Sequence, residues 1–298
     1  MHIPNRFTDL VEIIEKNYPK PPVVGSDEDM WSHFCKALLL GGNRNEAEVN
    51  YVYDLLDDFG LLFREALEDD WVKYATQCFR DAEYEADEPN IKGKDRAIKK
   101  VEAELENIYL MLRNADTVFQ SRGINAEYLQ EIAGDQDKEK SLLAEIASHN
   151  EVTAVKKTIR FKHPYKIWGF THTKALFWLN SCGVALGFIP NNDHSLKFLR
   201  EYDQKWSSKD FFAVNNKFNE FCERLNVDPY YAGLALWYYE STKGMLTKKG
   251  GRYFSPLKLM RVMEHNDLEI EDMRTCLEDI ENLQYLKEVI NSNPELLK

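Results

Sequence analysis

A backbone that must approach a phosphate closely needs a residue free to adopt positive φ. Gly169 stands at such a place within Ile167–Leu199, IWGFTHTKALFWLNSCGVALGFIPNNDHSLKFL. The segment reads as a tight hairpin around Gly169, a helix closed near Gly183, and a polar loop from which a second helix starts at Asn192 or Asp193. A helix entered through such a turn offers backbone N–H groups and the positive end of its dipole to a phosphate, without reading bases. Thr171, two residues on, is β-branched and costly at positive φ, so either the turn differs from a two-glycine hairpin or its phosphate site is weakened. His194 suits donation to a phosphate or to the loop backbone, and equally suits a satisfied structural role. Trp168, Phe170, Phe177 and Trp178 have faces on which a base can stack, although their spacing also fits a core. Taken alone, GFTHTKA fits a generic helix–turn–helix corner equally well.

The net charge of −12 opposes a polyanionic partner only on average. Thr153–Met260 holds 17 of the 38 lysines and arginines against 8 of the 50 acidic residues, a balance of +9; the remainder holds 21 against 42, or −21. The basic charge begins with Lys156, Lys157, Arg160, Lys162 and Lys166, directly before the turn, and resumes with Lys243, Lys248, Lys249 and Arg252. Screening confines such fields to about a Debye length, ~8 Å at physiological salt, so a basic face can serve an acidic molecule. A solvated face is the plain alternative, and the position beside the turn favours DNA.

Other chemistries find less support. The seven histidines show no HExxH spacing, and no glycine-rich phosphate loop is present, so neither a metal nor a cofactor is expected. Cys35, Cys78, Cys182, Cys222 and Cys276 are odd in number and scattered, which fits a reducing interior rather than a disulfide framework or a metal cluster. No apolar run approaches the ~20 residues of a membrane span. The start, MHIPNRFTDLVEIIEKNYPKPP, lacks the pattern of a signal peptide. The expectation is a soluble cytoplasmic or otherwise intracellular protein, in the nucleoid or nucleus if it binds DNA, with no membrane partner.

The elements that must position these residues are almost all helical. Apolar periodicity predicts helices over Trp31–Leu39, Glu46–Phe63, Asp70–Tyr84 and Asp95–Phe119, and one or two more over Ala126–Ile146. Asp210–Leu225 follows, and Asp228-Pro229 opens a helix through Tyr239, with aspartate as cap and proline in the first turn. Residues 152–162 alone alternate like a strand. Gly244–Tyr253 reads as a basic linker, and Ser255-Pro256 starts a helical tail through Leu297. With 298 residues and 44% hydrophobic content, the chain can bury one large core or two small ones. The reading is one principal all-α domain in two lobes with a groove between, plus a C-terminal extension.

Read together, IWGFTHTKALFWLNSCG, NDHSLKFL and LNVDPYYAGLALWYYESTKGML resemble successive motifs of the archaeal-type 8-oxoguanine DNA glycosylase/AP lyases, members of the helix-hairpin-helix DNA glycosylase superfamily. The resemblance covers Trp31–Leu246 and is firm from Ile167 onward. It implies an all-α, two-lobed helix-hairpin-helix DNA glycosylase fold over residues 1–246, with 247–298 as basic linker and helical C-terminal extension. It also implies double-stranded, damaged DNA as the partner and no cofactor; a protein partner is an option for the tail. Gly169, Thr171, His172, Lys166 and His194 would contact DNA. In LLLGGNRNEAEV, Asn43 would enter the gap left by a flipped base, although an Asn after a helix-ending glycine pair fits as well.

Such enzymes flip the damaged nucleotide out of the duplex into a pocket between lobes. A lysine amine attacks the sugar C1′ and displaces the base, and an aspartate activates the amine and stabilises positive charge. The resemblance places the lysine at Thr173 and the aspartate at Asn192, neither of which can do that chemistry. Lys174 and Asp193 lie one residue beyond each with the same separation, so a concerted slip would restore the pair. One residue is about 100° on a helix, and Ala175, Leu179, Gly183, His194 and Leu196 fit the unslipped register. Plainer roles are Thr173 as an N-cap, Lys174 exposed, and Asn192 or Asp193 capping the second helix. A further family aspartate, four residues before the tryptophan of Leu-Trp-Tyr, falls at Gly233. Three readings stay open: a DNA N-glycosylase/AP lyase of base-excision repair, a catalytically silent DNA-binding relative, and a helical protein-interaction scaffold.

Overall fold

The computed structural model describes residues 7–40, 46–85, 104–147, 150–153, 158–161 and 165–248. In chain order the elements are α1 (Phe7–Asn17), α2 (Asp27–Leu39), α3 (Glu46–Asp58), α4 (Trp71–Glu85), α5 (Leu105–Arg122), α6 (Ala126–Ile132), α7 (Gln136–Ile146), β1 (Asn150–Thr153), β2 (Thr158–Phe161), α8 (His172–Ser181), α9 (Asp193–Tyr202), α10 (Phe211–Leu225) and α11 (Pro229–Lys248). Among the described residues the chain is all-α apart from one two-stranded ribbon.

Short polar side chains set where the helices begin. Ser26 accepts the Asp29 N–H at 3.0 Å and starts α2 four residues before the predicted Trp31. Asn125, Asp135 and Asp210 cap α6, α7 and α10 in the same way. The predicted Ala126–Ile146 region is therefore two helices, broken at Ala133-Gly134. Left-handed residues set several ends: Gly123 (φ 69) closes α5 and Asn226 (φ 55) closes α10. Helix α3 stops at Asp58, short of the predicted Phe63, just before Gly60 at φ 67. Of the predicted Asp95–Phe119 helix, the part from Leu105 is described, and it runs on to Arg122.

Three further points differ from the sequence reading. Helix α1 was not anticipated; its Phe7, Leu10, Val11 and Ile14 recur at helical spacing and are buried. The single strand at 152–162 is an antiparallel pair, with Asn150 opposite Phe161 and Val152 opposite Ile159. Helix α11 continues past Tyr239 to Lys248, so the first residues of the expected linker, Gly244–Lys248, are helical. One helical glycine costs about 1 kcal/mol, which a helix of this length tolerates. Residues 249–298, with the rest of the expected linker and tail, lie outside the described residues.

The chain divides into two compact units, Lys20–Leu186 and Met1–Pro19 with Gly187–Lys298. The core of the first is aromatic: Phe34 meets Trp31, Phe119, Phe170 and Trp178 at centroid distances from 4.9 to 5.7 Å. In the second, α1, α9, α10 and α11 enclose Phe7, Phe198, Phe218, Phe221 and their aliphatic neighbours.

Candidate functional site

The Gly169 turn belongs to the first unit. Helix α7 ends at Ile146, whose carbonyl accepts the Ile167 N–H at 3.0 Å. The β1–β2 ribbon is thus an excursion between a helix end and the turn, and α7 and α8 flank the turn as its two helices. Phe170 donates its N–H to the Ile167 carbonyl (3.2 Å), closing a turn with Gly169 third at φ 70. A Cβ at Gly169 would lie 2.4 Å from Met111 Sδ, and the Trp168 N–H is held by Asn114 Oδ1 at 2.7 Å. Both contacts come from α5, so the turn is braced from beneath.

Thr171 is not strained. Its φ of −83 and ψ of 166 are extended, and its hydroxyl accepts the Lys174 N–H at 3.4 Å as the N-cap of α8. The turn therefore needs one positive-φ residue, and the cap expected of Thr173 is formed by Thr171. His172, Thr173 and Lys174 form the half-buried first turn of α8. At the far end Gly183 (φ 73) lies against the chain at Pro22: a Cβ there would meet the Pro22 carbonyl oxygen at 2.4 Å.

The two lysines of this region are placed unexpectedly. Lys166, expected among the phosphate contacts, is 5% exposed and donates its ammonium to the Phe170 carbonyl, tying the two ends of the turn together. Burial, with no charged neighbour contributing, pushes its pKa down to about 8. Lys174, the slipped-register nucleophile, is half-buried and donates to the Leu38 carbonyl at 2.7 Å. That carbonyl is among the last of α2, where no intrahelical N–H is available and a cation is favoured.

The second candidate loop belongs to the other unit. Asn192 is the N-cap of α9, accepting the Ser195 N–H at 3.0 Å, and exposed Asp193 is the first helical residue. The buried amide of Asn215 accepts the Ile189 N–H (2.7 Å) and donates to the carbonyls of Ile189 and Phe211. Ser195 Oγ donates to the Pro190 carbonyl at 2.6 Å, so neutral groups hold the loop on both sides. His194 is half-buried with Nδ1 unpartnered; burial, then Lys197, push its pKa down, while Asp193 raises it. Gly233 lies on the face of α11 toward Ile189, whose Cγ2 would be 3.0 Å from an added Cβ. An aspartate there would force Ile189 aside.

The turn thus gathers Gly169, Thr171, His172, Lys166 and Lys174 in one unit, while Asn192, Asp193 and His194 gather in the other. Asn43 lies outside the described residues, as do Lys156, Lys157 and Lys162. Of the four aromatics, Phe170 and Trp178 are core at 1% and 0% exposure, whereas Trp168 and Phe177 are exposed. Sequence reasoning missed Asn215 and buried Glu139, which accepts the N–H groups of Gly134 and Ala185, both at 2.9 Å. Neither carries a sequence signal, since the partners that give them their roles, Ile189 and Ala185, are backbone groups 26 and 46 residues away.

Elsewhere, a cavity of about 390 Å³ is lined by Asp27, Glu28, Asp29, Asp57 and Glu65 beside Trp31 and Arg64. Its carboxylates repel a phosphate. The thiols of Cys35, Cys182 and Cys222 are buried and pushed up by desolvation, which removes them as nucleophiles at neutral pH. Among the described residues no group of three or more His, Cys, Asp or Glu is placed to hold a metal ion, and no helix is long and apolar enough to cross a membrane. No protein-family model matches the chain, and no match is found among curated proteins or solved structures.

Proposed function

We propose that this protein binds duplex DNA through the Gly169 turn and acts in the class of base-excision-repair N-glycosylases. The observation that carries the reading is the braced turn between α7 and α8, with one positive-φ glycine leading directly into a capped helix. Such an entry suits a phosphate backbone contacted without base readout. The three family-like stretches add support from sequence: they form α8, the capped start of α9, and α11.

A second reading, a catalytically silent DNA-binding relative, is favoured by the duties of the lysine one residue beyond the aligned Thr173 and of the aligned Asn192. Lys174 caps α2, and Asn192 caps α9 with an amide that cannot take a proton.

The test uses labelled duplexes carrying 8-oxoguanine, uracil, an abasic site or no lesion, titrated with protein at several salt concentrations. The expected result is binding whose log affinity falls linearly with log salt, by about 0.9 per phosphate neutralised. Base release or strand nicking on a lesion duplex would support the glycosylase class; binding without either would support the silent relative. Absence of salt-dependent binding would overturn the DNA reading and leave the protein-interaction scaffold.

A further inference from the structure

We propose that the cavity formed by α2, α3 and the Leu62–Glu65 segment binds a small polyamine, a flexible chain of ammonium groups joined by methylenes. The site lies wholly within the first compact unit and is independent of the Gly169 turn and of the DNA reading. Its volume of about 390 Å³ falls within the ~300–1,000 Å³ of small-molecule sites. The floor is apolar and fixed: Trp31, Cys35 and Leu62 are buried, and the Trp31 indole donates to the Leu62 carbonyl at 2.7 Å. Phe63, 59% exposed, stands at the mouth.

The charge of the lining selects the ligand. Asp27, Glu28, Asp29, Asp57 and Glu65 are all exposed and face one guanidinium, that of Arg64, a formal balance of −4. Asp27 is engaged by the Ala126 N–H and Asp29 by the Ser26 hydroxyl, both at 2.7 Å. Arg64 pairs with Asp116, outside the lining, at 3.6 Å; Glu28, Asp57 and Glu65 form no ion pair among the described residues. The rings already hold cations: Arg64 lies over Trp31 at 4.6 Å and Lys36 over Tyr53 at 4.5 Å. An anion is repelled here. A single metal ion does not suit the cavity either, because no three of these carboxylates are placed to share one. Spaced ammonium groups do suit it: each meets a separate carboxylate while the methylenes between them cover Trp31 and Phe63.

Isothermal titration calorimetry of the full chain with spermidine, at about 0.15 M salt and above, tests this. The expected result is one saturable site that weakens as salt rises. Spermidine should bind ~5-fold or more tightly than the diamine putrescine, the difference of about one exposed ion pair. Asp57→Asn combined with Glu65→Gln should weaken spermidine ~10- to 30-fold, and Phe63→Ala about 3- to 5-fold. Asp137→Asn combined with Glu223→Gln removes the same charge from exposed positions elsewhere and should change affinity less than about 2-fold. All four carboxylates are exposed, so both pairs of substitutions leave the core intact. Equal weakening by the second pair would mean diffuse attraction to an acidic surface and would overturn the proposal. So would the absence of saturable binding, or displacement of spermidine by an equal concentration of Mg²⁺. A capped trilysine peptide of the same charge that binds more tightly than spermidine would assign the cavity to a basic segment of a protein partner and overturn the small-ligand assignment.

Discussion

The two helix entrances, residues 165–174 into α8 and 187–195 into α9, resemble one another in outline and differ in what holds them. Each ends in a polar N-cap, Thr171 or Asn192. The first is held by a buried lysine, a positive-φ glycine and contacts from Met111 and Asn114. The second is held by neutral amides and hydroxyls, with Asn215 at the centre. A buried charge held by one carbonyl is sensitive to pH, whereas the amide and hydroxyl bonds around Asn215 are mainly mechanical. Asn192 is thus doing a cap's work, whereas Lys166 ties the ends of the first turn together.

The largest expected effect is at the neutral entrance. Asn215→Leu leaves the Ile189 N–H and C=O buried without their partner and should lower stability by about 2–4 kcal/mol in urea unfolding. A loss below about 1 kcal/mol would mean that water or relaxation replaces the amide, and the contrast would weaken. At the other entrance, Gly169→Ala should cost about 1–2 kcal/mol through its left-handed backbone alone. The Met111 side chain can swing away, so Gly169→Ala should cost nearly the same in a Met111→Ala background as in the wild type. A cost abolished in that background would show that contact, not φ, makes the glycine necessary.

The caps sharpen the comparison on a smaller scale. Asn192→Ala should cost about 1 kcal/mol, while Asn192→Asp should stay within about 0.5 kcal/mol, because either side-chain oxygen accepts the Ser195 N–H. Thr171→Ala should cost less than Asn192→Ala, since its bond to Lys174 is long at 3.4 Å. Thermal melts of the three variants check the order. A large loss in Asn192→Asp would show that the loop rejects a carboxylate.

What could be read from the sequence follows physical range. Helix α10 was legible because its cap and apolar stripe lie within a few residues of each other, and the start of α11 because Asp228-Pro229 marks a helix entrance. The positions of Gly169, Gly183 and the α9 start were legible for the same reason. The fate of Lys166 and Lys174 was not: the first depends on burial by the assembled fold, the second on a carbonyl 136 residues away. The ribbon was half-legible, since alternation marks extended chain but gives no partner. Ser26-Asp-Glu-Asp29 did carry a readable cap signal for α2.

The smallest effect near neutral pH, and the sharpest contrast between the entrances, is the pH dependence carried by Lys166. An unfolded lysine titrates near 10.5 and the folded group near 8. Below 8 both states hold the proton, and the folded state bears the full cost of the buried cation. Between about 8 and 10.5 the unfolded chain binds more proton than the folded one, so this contribution to stability rises with pH, and above 10.5 it is constant. Tyr53, Tyr128 and Tyr230, all pushed upward by burial, act in the opposite sense at the alkaline end. The quantity to measure is therefore the difference in unfolding free energy between wild type and Lys166→Met across that range. It should shift steadily in favour of the wild type as pH rises from 8 to 10.5, whereas Asn215→Leu against wild type should stay level. A level difference for Lys166→Met would mean that solvent reaches the ammonium in the folded protein, and the first entrance would then be as unresponsive as the second.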